Sequence, residues 1–226
     1  MGFHRGPNII REDLLLAFDA ANSKSYPGTG TTWTGLGSSV TAALTGASFD
    51  TDSISFNGTS DYAYLTGTVN LGTEFSIMSW IKPSSLSGGT GTVYIPFANG
   101  VDNWFGISNT KAFFVGCESS DTNGFSLYGS TSMTSTSEWY CIGCTVDGTG
   151  GNTTVKIFLD GEHDGTVTKT FTLGAWNASS FNTIGRRTTI NSNYFPGNIA
   201  TLYMYTSTLS EDDMYQNYLA TKERFK

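Results

Sequence analysis

The nine residues from Phe75 to Pro83 restrict the folds open to this chain more than any other segment. They read FSIMSWIKP, with large apolar side chains on both sides of an extended strand: Phe75, Ile77 and Ile81 on one side, Met78 and Trp80 on the other. Side chains of a strand alternate between its two faces. A strand that is bulky on both faces has to be covered on both, so it belongs in the middle of a layered structure.

The segment before it has the pattern of a strand, a turn and a second strand. Ile54 and Phe56 are two residues apart, so they share one face of the first strand. The pair Asn57-Gly58 follows directly and tolerates the positive φ angles of a tight turn. Tyr62 opens the return strand. The pattern therefore predicts a β-hairpin that turns at Asn57-Gly58.

The rest of the chain repeats this alternation of short apolar strands and turn residues. Further strands are predicted at Ile9–Asp19, Val93–Phe97, Trp104–Ser108, Ala112–Gly116, Glu138–Val146, Thr153–Asp160, Phe181–Arg186 and Tyr194–Tyr205. In the first of these, Leu14, Leu16 and Phe18 are expected on one face. Charged residues make up only 14% of the chain and glycine occurs 27 times, which is typical of short strands joined by tight turns. A length of 226 residues suits one all-β domain.

One helix is predicted near the end of the chain, beginning after Ser210. The Ser210 side chain can cap it, and Asp213 three residues later is close to a capping box. The acidic run Glu211–Asp213 suits the positive amino end of a helix. An apolar stripe that can dock on the rest of the domain consists of Met214, Tyr215, Tyr218, Leu219 and Phe225.

The charge balance argues against two classes of partner. The formal net charge is −7, and the one basic cluster is the pair Arg186-Arg187. A nucleic-acid backbone needs clustered Lys and Arg, and an anionic membrane surface needs the same. We therefore expect no nucleic acid and no membrane among the partners.

The cysteines and the first residues bear on the compartment. Cys117, Cys141 and Cys144 are odd in number, so at least one thiol is free or pairs between chains. Cys141 and Cys144 have the spacing of zinc and redox motifs, but in a strand they point to opposite faces, which favours buried apolar cysteines. The start MGFHRGPN has no apolar run, so we expect no signal peptide and a chain made in a reducing cytoplasm.

Four motifs carry a resemblance to a known family. The segments ISFNGTSDYAYL, FSIMSWIKP, EWYCIGCTVDG and VKIFLDGE resemble those of laminin-G-like, concanavalin A-like jelly-roll domains. The resemblance implies an all-β, two-sheet antiparallel jelly-roll sandwich with a short C-terminal helix. Together with the absence of a domain boundary, it predicts a single domain at residues 9–226, and the short polar lead at residues 1–8 is expected to form an extended N-terminal arm. It leaves function open, because this fold serves many functions.

Segments near the two ends of the sequence resemble one group of proteins within this family. The opening IIREDLLLAFDAANSKSYPGTGTTWTGL and the ending ATKERF are similar to structural proteins of tailed phages of the marine cyanophage type. This implies a virion protein assembled in the host cytoplasm, and we expect a capsid decoration protein that binds the major capsid protein or other virion proteins as a homo-oligomer. The alternative is an adhesin or tail-associated lectin module that binds a host glycan.

The acidic residues do not suggest catalysis. Glycoside hydrolysis needs two carboxylates facing one another across the substrate. Asp50 and Asp52 have a suitable spacing but precede a strand in a polar turn, and Glu162 and Asp164 lie in a glycine-rich segment predicted to be a solvated turn. His163 is expected in the same turn, and the other histidine, His4, in the arm. We assign no catalytic residue and expect no enzymatic activity.

Two ligand questions stay open at this stage. Asn57, Asp61 and Asp147 carry oxygen ligands suited to Ca²⁺, but the same residues form turns, and we favour turns and assign no cofactor or metal ligand. Trp104, next to Asp102-Asn103, is the best candidate for stacking on a glycan. A tryptophan buried in the core is the interpretation that we favour for it.

Overall fold

A computed structural model describes residues 7–67, 69–87, 89–96, 102–108, 110–117, 124–172, 177–178, 183–186 and 193–226. The elements in chain order are β1 (Leu14–Asp19), β2 (Thr32–Thr34), β3 (Thr41–Thr45), β4 (Ser48–Asp50), β5 (Ser53–Asn57), β6 (Tyr62–Thr66), β7 (Val69–Asn70), β8 (Phe75–Pro83), β9 (Gly89–Pro96), β10 (Asp102–Ser108), β11 (Lys111–Cys117), β12 (Gly124–Tyr128), β13 (Tyr140–Asp147), β14 (Thr153–Leu159), β15 (Glu162–Lys169), β16 (Asn177–Ala178), β17 (Thr183–Ile184), β18 (Pro196–Tyr205) and α1 (Glu211–Thr221), which a 3-10 turn at Lys222–Arg224 follows. The predicted all-β fold with one short C-terminal helix is confirmed.

The strands form two large antiparallel sheets and one short pair. The first sheet has the order β15-β14-β13-β8-β18-β5-β4, with β1 beside β18. The second sheet has the order β12-β11-β10-β9-β17-β6-β3-β2, and β7 pairs with β16. The main hydrophobic core contains buried side chains of both large sheets. The two sheets therefore pack face to face as a sandwich, consistent with the predicted jelly roll.

The central strand β8 has the two-sided burial that its sequence predicts. Phe75, Ile77 and Ile81 belong to the core between the sheets. Met78 and Trp80 belong to a second cluster on the outer face of the first sheet. All five side chains are at most 1% exposed, so both faces of β8 are covered.

Helix α1 and the residues after it cover that outer face. Trp80 stacks on Tyr218 and on Phe225, with ring centroids 5.6 and 4.5 Å apart, and its Nε1 donates to Thr221 Oγ1 at 2.8 Å. The predicted capping box is present, because the hydroxyl of Ser210 accepts from the backbone N–H of Asp213 and the Asp213 carboxylate accepts from that of Ser210. We call this surface of the first sheet the helix-covered face. Among the described residues, no helix is long and apolar enough to cross a lipid bilayer.

The predicted hairpin at Asn57-Gly58 is wrong. Strand β5 pairs with β4 and β18 in the first sheet, whereas β6 pairs with β3 and β17 in the second. The turn therefore carries the chain across the sandwich. It is held by Asn57, whose Oδ1 accepts from the backbone N–H groups of Thr59, Ser60 and Asp61 at 2.8 to 3.1 Å. Such a side chain-to-backbone turn is compatible with a hairpin or a crossover, so the local pattern could not distinguish them.

Two further details differ from the sequence prediction. A β-bulge between Leu14 and Leu16 shifts the register of β1 against β18, so Leu14 packs with the helix-covered face and not with Leu16 and Phe18 in the core. On the helix, Tyr215 does not belong to the docking stripe, since it is 41% exposed.

The segment predicted as a solvated turn around Asp164 is strand β15, which pairs with β14. The turn is restricted to Asp160 and Gly161, both with positive φ. Asp164 is only 7% exposed, and its Oδ1 accepts from the backbone N–H of Thr131 at 2.8 Å. His163 is exposed on the strand, with Nε2 2.6 Å from the Thr166 hydroxyl. The charged residues of this segment mask its strand pattern.

Of the predicted arm at residues 1–8, residues 1–6, including His4, lie outside the described residues. Asn8 contacts the helix, because its carbonyl accepts from Gln216 Nε2 at 2.9 Å. Two residues later, the backbone N–H of Ile10 donates to Asn217 Oδ1 at 2.7 Å. The chain therefore enters the domain along the helix-covered face.

Candidate functional site

The outer face of the second sheet carries a row of aromatic side chains. In β6, Ala63 and Leu65 point into the core, so Tyr62 and Tyr64 point outward. Both tyrosines are half-buried. The backbone register runs from Tyr64 through Thr183 of β17 and Tyr94 of β9 to Trp104, which places Trp104 on the same face.

Strands β10, β11 and β12 extend this row. Phe113 is the register partner of Tyr128, and their rings stack with centroids 6.0 Å apart. Trp104 meets Phe113 edge-on at 4.8 Å. Phe113 is 1% exposed, whereas Tyr128 is 51% exposed. We call the outward surface formed by Tyr62, Tyr64, Trp104, Phe113 and Tyr128 the aromatic face.

The position of Trp104 corrects the interpretation that it is a core tryptophan. It is half-buried and is absent from both hydrophobic clusters of the described side chains, because its strand presents Phe105 and Ile107 to the core instead. The alternative from the sequence, an exposed aromatic among polar loop residues, also differs from the structure, because Trp104 is half-buried on the outer face of a strand. The side chains of the neighbouring Asp102 and Asn103 lie outside the described part of the chain.

The aromatic face is long. Its strands follow one another in the order β6-β17-β9-β10-β11-β12, which is five strand spacings. At about 4.8 Å per spacing, the row spans roughly 24 Å. Helix α1 lies on the opposite side of the sandwich, on the first sheet. Within this length, the pair Tyr62 and Tyr64 is separated from Trp104, Phe113 and Tyr128 by β17, whose outward Thr183 is buried, and by β9.

A guanidinium group lies at one end of the aromatic face. Arg186 follows β17, and its Cζ is 3.5 Å from the centroid of the Tyr62 ring. This is a close cation–π contact, and a guanidinium packs flat on an aromatic ring in this way. At the other end, Lys111 Nζ donates to the carbonyl of Ser130 at 3.0 Å. The face therefore combines apolar rings with hydrogen-bond donors.

These groups define what the face can bind. Exposed aromatic rings present flat apolar surfaces, and tyrosine and tryptophan add a polar atom at the edge. An antiparallel sheet often packs one face on the core and exposes the other to solvent, and the exposed face is normally polar. A row of rings on such a face is typical of an interaction surface.

The residues considered for Ca²⁺ are turn formers. The Asp61 carboxylate is 7% exposed and accepts from the backbone N–H of Asn57 at 3.0 Å. Asp147 accepts from the backbone and hydroxyl of Thr149 at 3.0 and 2.7 Å, and these hydrogen bonds lower its pKa. Within the described residues, no group of three or more His, Cys, Asp or Glu side chains is placed to hold a metal ion.

The Cys141 and Cys144 thiols are separated by the sheet, as their spacing predicts. Cys144 lies in the core and Cys141 under the helix. Burial raises the pKa of both thiols well above the usual range. Such thiols are poor nucleophiles and poor metal ligands. The Cys117 side chain lies outside the described residues.

A second surface feature contains the acid pair that the sequence singled out. Asp50 and Asp52 are both exposed at the β4–β5 turn, as predicted, and line a cavity of about 290 Å³ with Lys82, Trp139 and Arg224. Asp50 Oδ2 accepts from Asn198 Nδ2 at 2.9 Å. The Trp139 ring is half-buried and flanked by Lys82 and Phe225.

The fold is an all-β sandwich whose second sheet carries aromatic side chains on its outer face. Residues 57–214, more than half of the chain, match the family model of the concanavalin A-like lectin/glucanases superfamily. The chain therefore belongs to this superfamily. A search of curated proteins finds no match.

Solved structures with the same fold are distant in sequence. A Trypanosoma rangeli sialidase in complex with 2,3-difluoro-KDN is 12% identical with a TM-score of 0.67, over 95% of this chain and 33% of the sialidase. The CBM40 of Ruminococcus gnavus IT-sialidase bound to α2,3-sialyllactose is 16% identical with a TM-score of 0.52, over 64% of this chain and 82% of that module. The botulinum neurotoxin serotype D binding domain is 14% identical with a TM-score of 0.63, over 91% of this chain and 51% of that domain.

The chain thus spans about a third of the length of the sialidase that it resembles. At these identities the similarity concerns the fold alone.

Sequence reasoning missed most of the aromatic face. Tyr62 and Tyr64 were interpreted only as the return strand of a hairpin, and Arg186 only as part of a basic pair. A usable signal was present in Tyr62-Ala-Tyr64-Leu65, where large polar aromatics alternate with purely apolar residues. This alternation is typical of a strand with its tyrosines on the solvent side.

Proposed function

We propose that this chain is a carbohydrate-binding, lectin-like module and that the aromatic face is its binding surface. The observation that carries the proposal is the row of Trp104, Phe113 and Tyr128 on a sheet face opposite the helix, with Tyr128 51% exposed. Sugar rings have apolar C–H faces and polar edges, and tyrosine and tryptophan match both.

The comparisons add support. One related structure is a sialidase carbohydrate-binding module with bound sialyllactose, and another is the binding domain of a neurotoxin. Both share the sandwich fold with this chain at low identity. They agree with a binding role for the fold without naming the ligand of this chain.

A glycan array with matched aromatic variants tests the proposal. Tyr128→Ala and Trp104→Ala should each reduce binding to the glycans that the unmodified protein retains. Tyr215→Ala is the control, because Tyr215 is also an exposed aromatic, at 41%, but lies on the helix. Equal binding by all three variants, or no glycan bound by the unmodified protein, would contradict the proposal.

We also propose that the module binds without cleaving its ligand. The acidic residues nearest to a paired arrangement, Asp50 and Asp52, lie at a turn of the first sheet and not on the aromatic face. Incubation with each glycan that the protein binds should release no reducing sugar. Release that Asp50→Asn abolishes would overturn this part of the proposal.

The two ends of the chain favour a place on a phage virion. Parts of the two segments that resemble tailed-phage proteins meet on the helix-covered face, where Ile9, Ile10 and Leu14 of the first and Phe225 of the second belong to one hydrophobic cluster. Ile10 bonds to Asn217 there, and the Tyr205 hydroxyl donates to the carbonyl of Ile10 at 3.1 Å. We propose that this side faces the virion, as a capsid decoration protein would, while the aromatic face points outward.

Binding to purified capsids tests this placement. A variant without residues 1–6 keeps Asn8 and its bond to Gln216, so the domain retains its described contacts. The variant should decorate capsids more weakly than the full chain and bind glycans equally well. If the truncated and full chains decorate capsids equally, the arm is not the anchor. If the full chain binds host cells and never capsids, the adhesin alternative replaces capsid decoration.

A further inference from the structure

Arg186 differs from the paired basic residues of the described chain. Arg224 makes two hydrogen bonds to Asp19 at 2.8 and 2.9 Å. Lys156 pairs with Glu211 at 2.7 Å and Lys226 with Asp160 at 3.0 Å. Within the described chain, the Arg186 guanidinium contacts no carboxylate, although the net charge of the protein is −7.

The chain also holds Arg186 firmly. Its carbonyl accepts from the Thr183 hydroxyl at 2.8 Å. Gly185 before it has a φ of +86°, and a Cβ at this position would lie 2.8 Å from the Phe56 ring. The turn therefore needs glycine, and it directs Arg186 onto the Tyr62 ring.

The guanidinium is partly desolvated, and its Nε has no acceptor among the described residues. Arg186 is half-buried, and the Nε atom itself is buried. A buried donor without an acceptor costs free energy, more so when it is charged. Asp61, next to Tyr62 along the strand, does not compensate, because its carboxylate accepts from Asn57 and Ser60.

We propose that Arg186, supported by Tyr62, binds an anionic group of the ligand, so that the aromatic face is selective for acidic glycans. The inference rests on the proposed glycan binding and names the class of glycan. A guanidinium presents a planar fork of donors that fits a carboxylate or a sulfate with two hydrogen bonds. The neighbouring rings then hold the apolar faces of the sugar, and the arginine selects its charge.

Isothermal titration with three related sugars tests this selectivity. The probes are 3′-sialyllactose, which carries a carboxylate, lactose 3′-sulfate, which carries a sulfate, and neutral lactose. The unmodified protein should bind at least one acidic probe more tightly than lactose, and the stronger of the two identifies the anion. Tight binding of lactose alone would overturn the inference and leave the proposed function intact.

Variants at Arg186 separate its charge from its shape. R186Q should weaken binding of the preferred acidic probe by roughly 10- to 100-fold, as expected for a charged hydrogen-bonding pair, and should weaken lactose binding by a much smaller factor. R186K keeps the charge but loses the planar set of guanidinium donors, so it should retain only part of the affinity for the acidic probe. K24Q is the control, because Lys24 is exposed in a remote loop and the change in net charge is the same.

The outcomes distinguish glycan binding by the aromatic face from charge selection by Arg186. Equal loss of acidic and neutral probes in R186Q, with an unchanged thermal transition, would show that Arg186 does not select charge. Loss of acidic binding in K24Q as well would reduce the effect to overall charge and overturn the inference. Failure of every probe to bind the unmodified protein would overturn glycan binding by this face and the inference with it.

Discussion

The two outer faces of the sandwich both carry aromatic side chains, but they differ in how far those side chains are covered. On the helix-covered face, Trp80 is fully buried, stacks on Tyr218 and Phe225, and satisfies its N–H through Thr221. On the aromatic face, Trp104 is half-buried, and among the described residues no helix lies over it. The same residue type is thus fully buried under a helix on one side and half-buried on an outer strand face on the other.

The difference originates in the last residues of the chain. Helix α1 brings Met214 and Tyr218 onto the first sheet, and small residues make room for them. A Cβ on Gly161 would lie 2.7 Å from the Cβ of Tyr218. The second sheet has no matching helix among the described residues. Of its outward rings, Tyr128 is exposed, Tyr62, Tyr64 and Trp104 are half-buried, and Phe113 is buried between its neighbours. The helix therefore accounts for the complete burial of Trp80 on the first sheet.

The largest expected effect on stability comes from a substitution on the helix-covered face. Trp80→Ala should lower the free energy of unfolding by about 3 to 5 kcal/mol, because it removes a fully buried ring and leaves a cavity under the helix. Chemical denaturation measures this. Trp104→Ala is the matched variant on the other face and should cost clearly less. Equal costs would mean that the two faces do not differ in the way the structure shows.

The next largest effect is a pH dependence of stability, which comes from a tyrosine on the helix-covered face. Burial raises the pKa of Tyr205, which lies under the helix, to about 12. Between the unfolded value of about 10 and this value, the folded protein keeps a proton that the unfolded chain has lost. The free energy of unfolding should therefore fall as pH rises from about 10 to 12. Denaturation at a series of pH values should show this fall, and a smaller one in Tyr205→Phe.

A smaller effect concerns the start of the helix. Ser210→Ala removes the cap that accepts from the backbone N–H of Asp213 at 3.1 Å, and should cost about 1 kcal/mol. Ser23→Ala, at an exposed loop position, is the control and should change stability by less than about 0.5 kcal/mol. Glycan binding should not change in either variant. Weaker glycan binding in Ser210→Ala would mean that the two faces are coupled.

The smallest expected stability effect comes from the aromatic face. Tyr128→Ala should change the free energy of unfolding by about 0.5 kcal/mol, the low end for an aromatic pair, because Tyr128 is 51% exposed and stacks on one ring among the described residues. Its effect on glycan binding should be much larger than its effect on stability. A loss of several kcal/mol in stability would show that this ring is a structural element.

Local sequence patterns predicted the positions of the strands better than they predicted which strands pair with each other. The alternation in Phe75–Pro83 correctly predicted both buried faces of β8, and Ser210 with Asp213 correctly predicted the capped helix. The turn chemistry at Asn57-Gly58 was also real. Whether that turn joins two neighbours or crosses between sheets depends on β18, about 140 residues away, which pairs with β5 through Pro196–Ile199.

The candidate site was harder to predict for the same reason. Trp104 was identified as a possible glycan contact, but its strand alone does not say which face the second layer covers. Tyr62, Tyr128 and Arg186 come from distant parts of the chain, and only the order of strands in the second sheet places them on one surface.

The sequence by itself determined the all-β class, the positions of most strands and the capped helix, because alternation, turn residues and caps act over a few neighbouring residues. The tertiary structure decided which sheet each strand joins, the bulge at Leu14 and the burial of Asp164. It also decided that the helix covers the first sheet and leaves the aromatic face of the second outside. Those outcomes depend on contacts between residues far apart in the chain, which no local pattern contains.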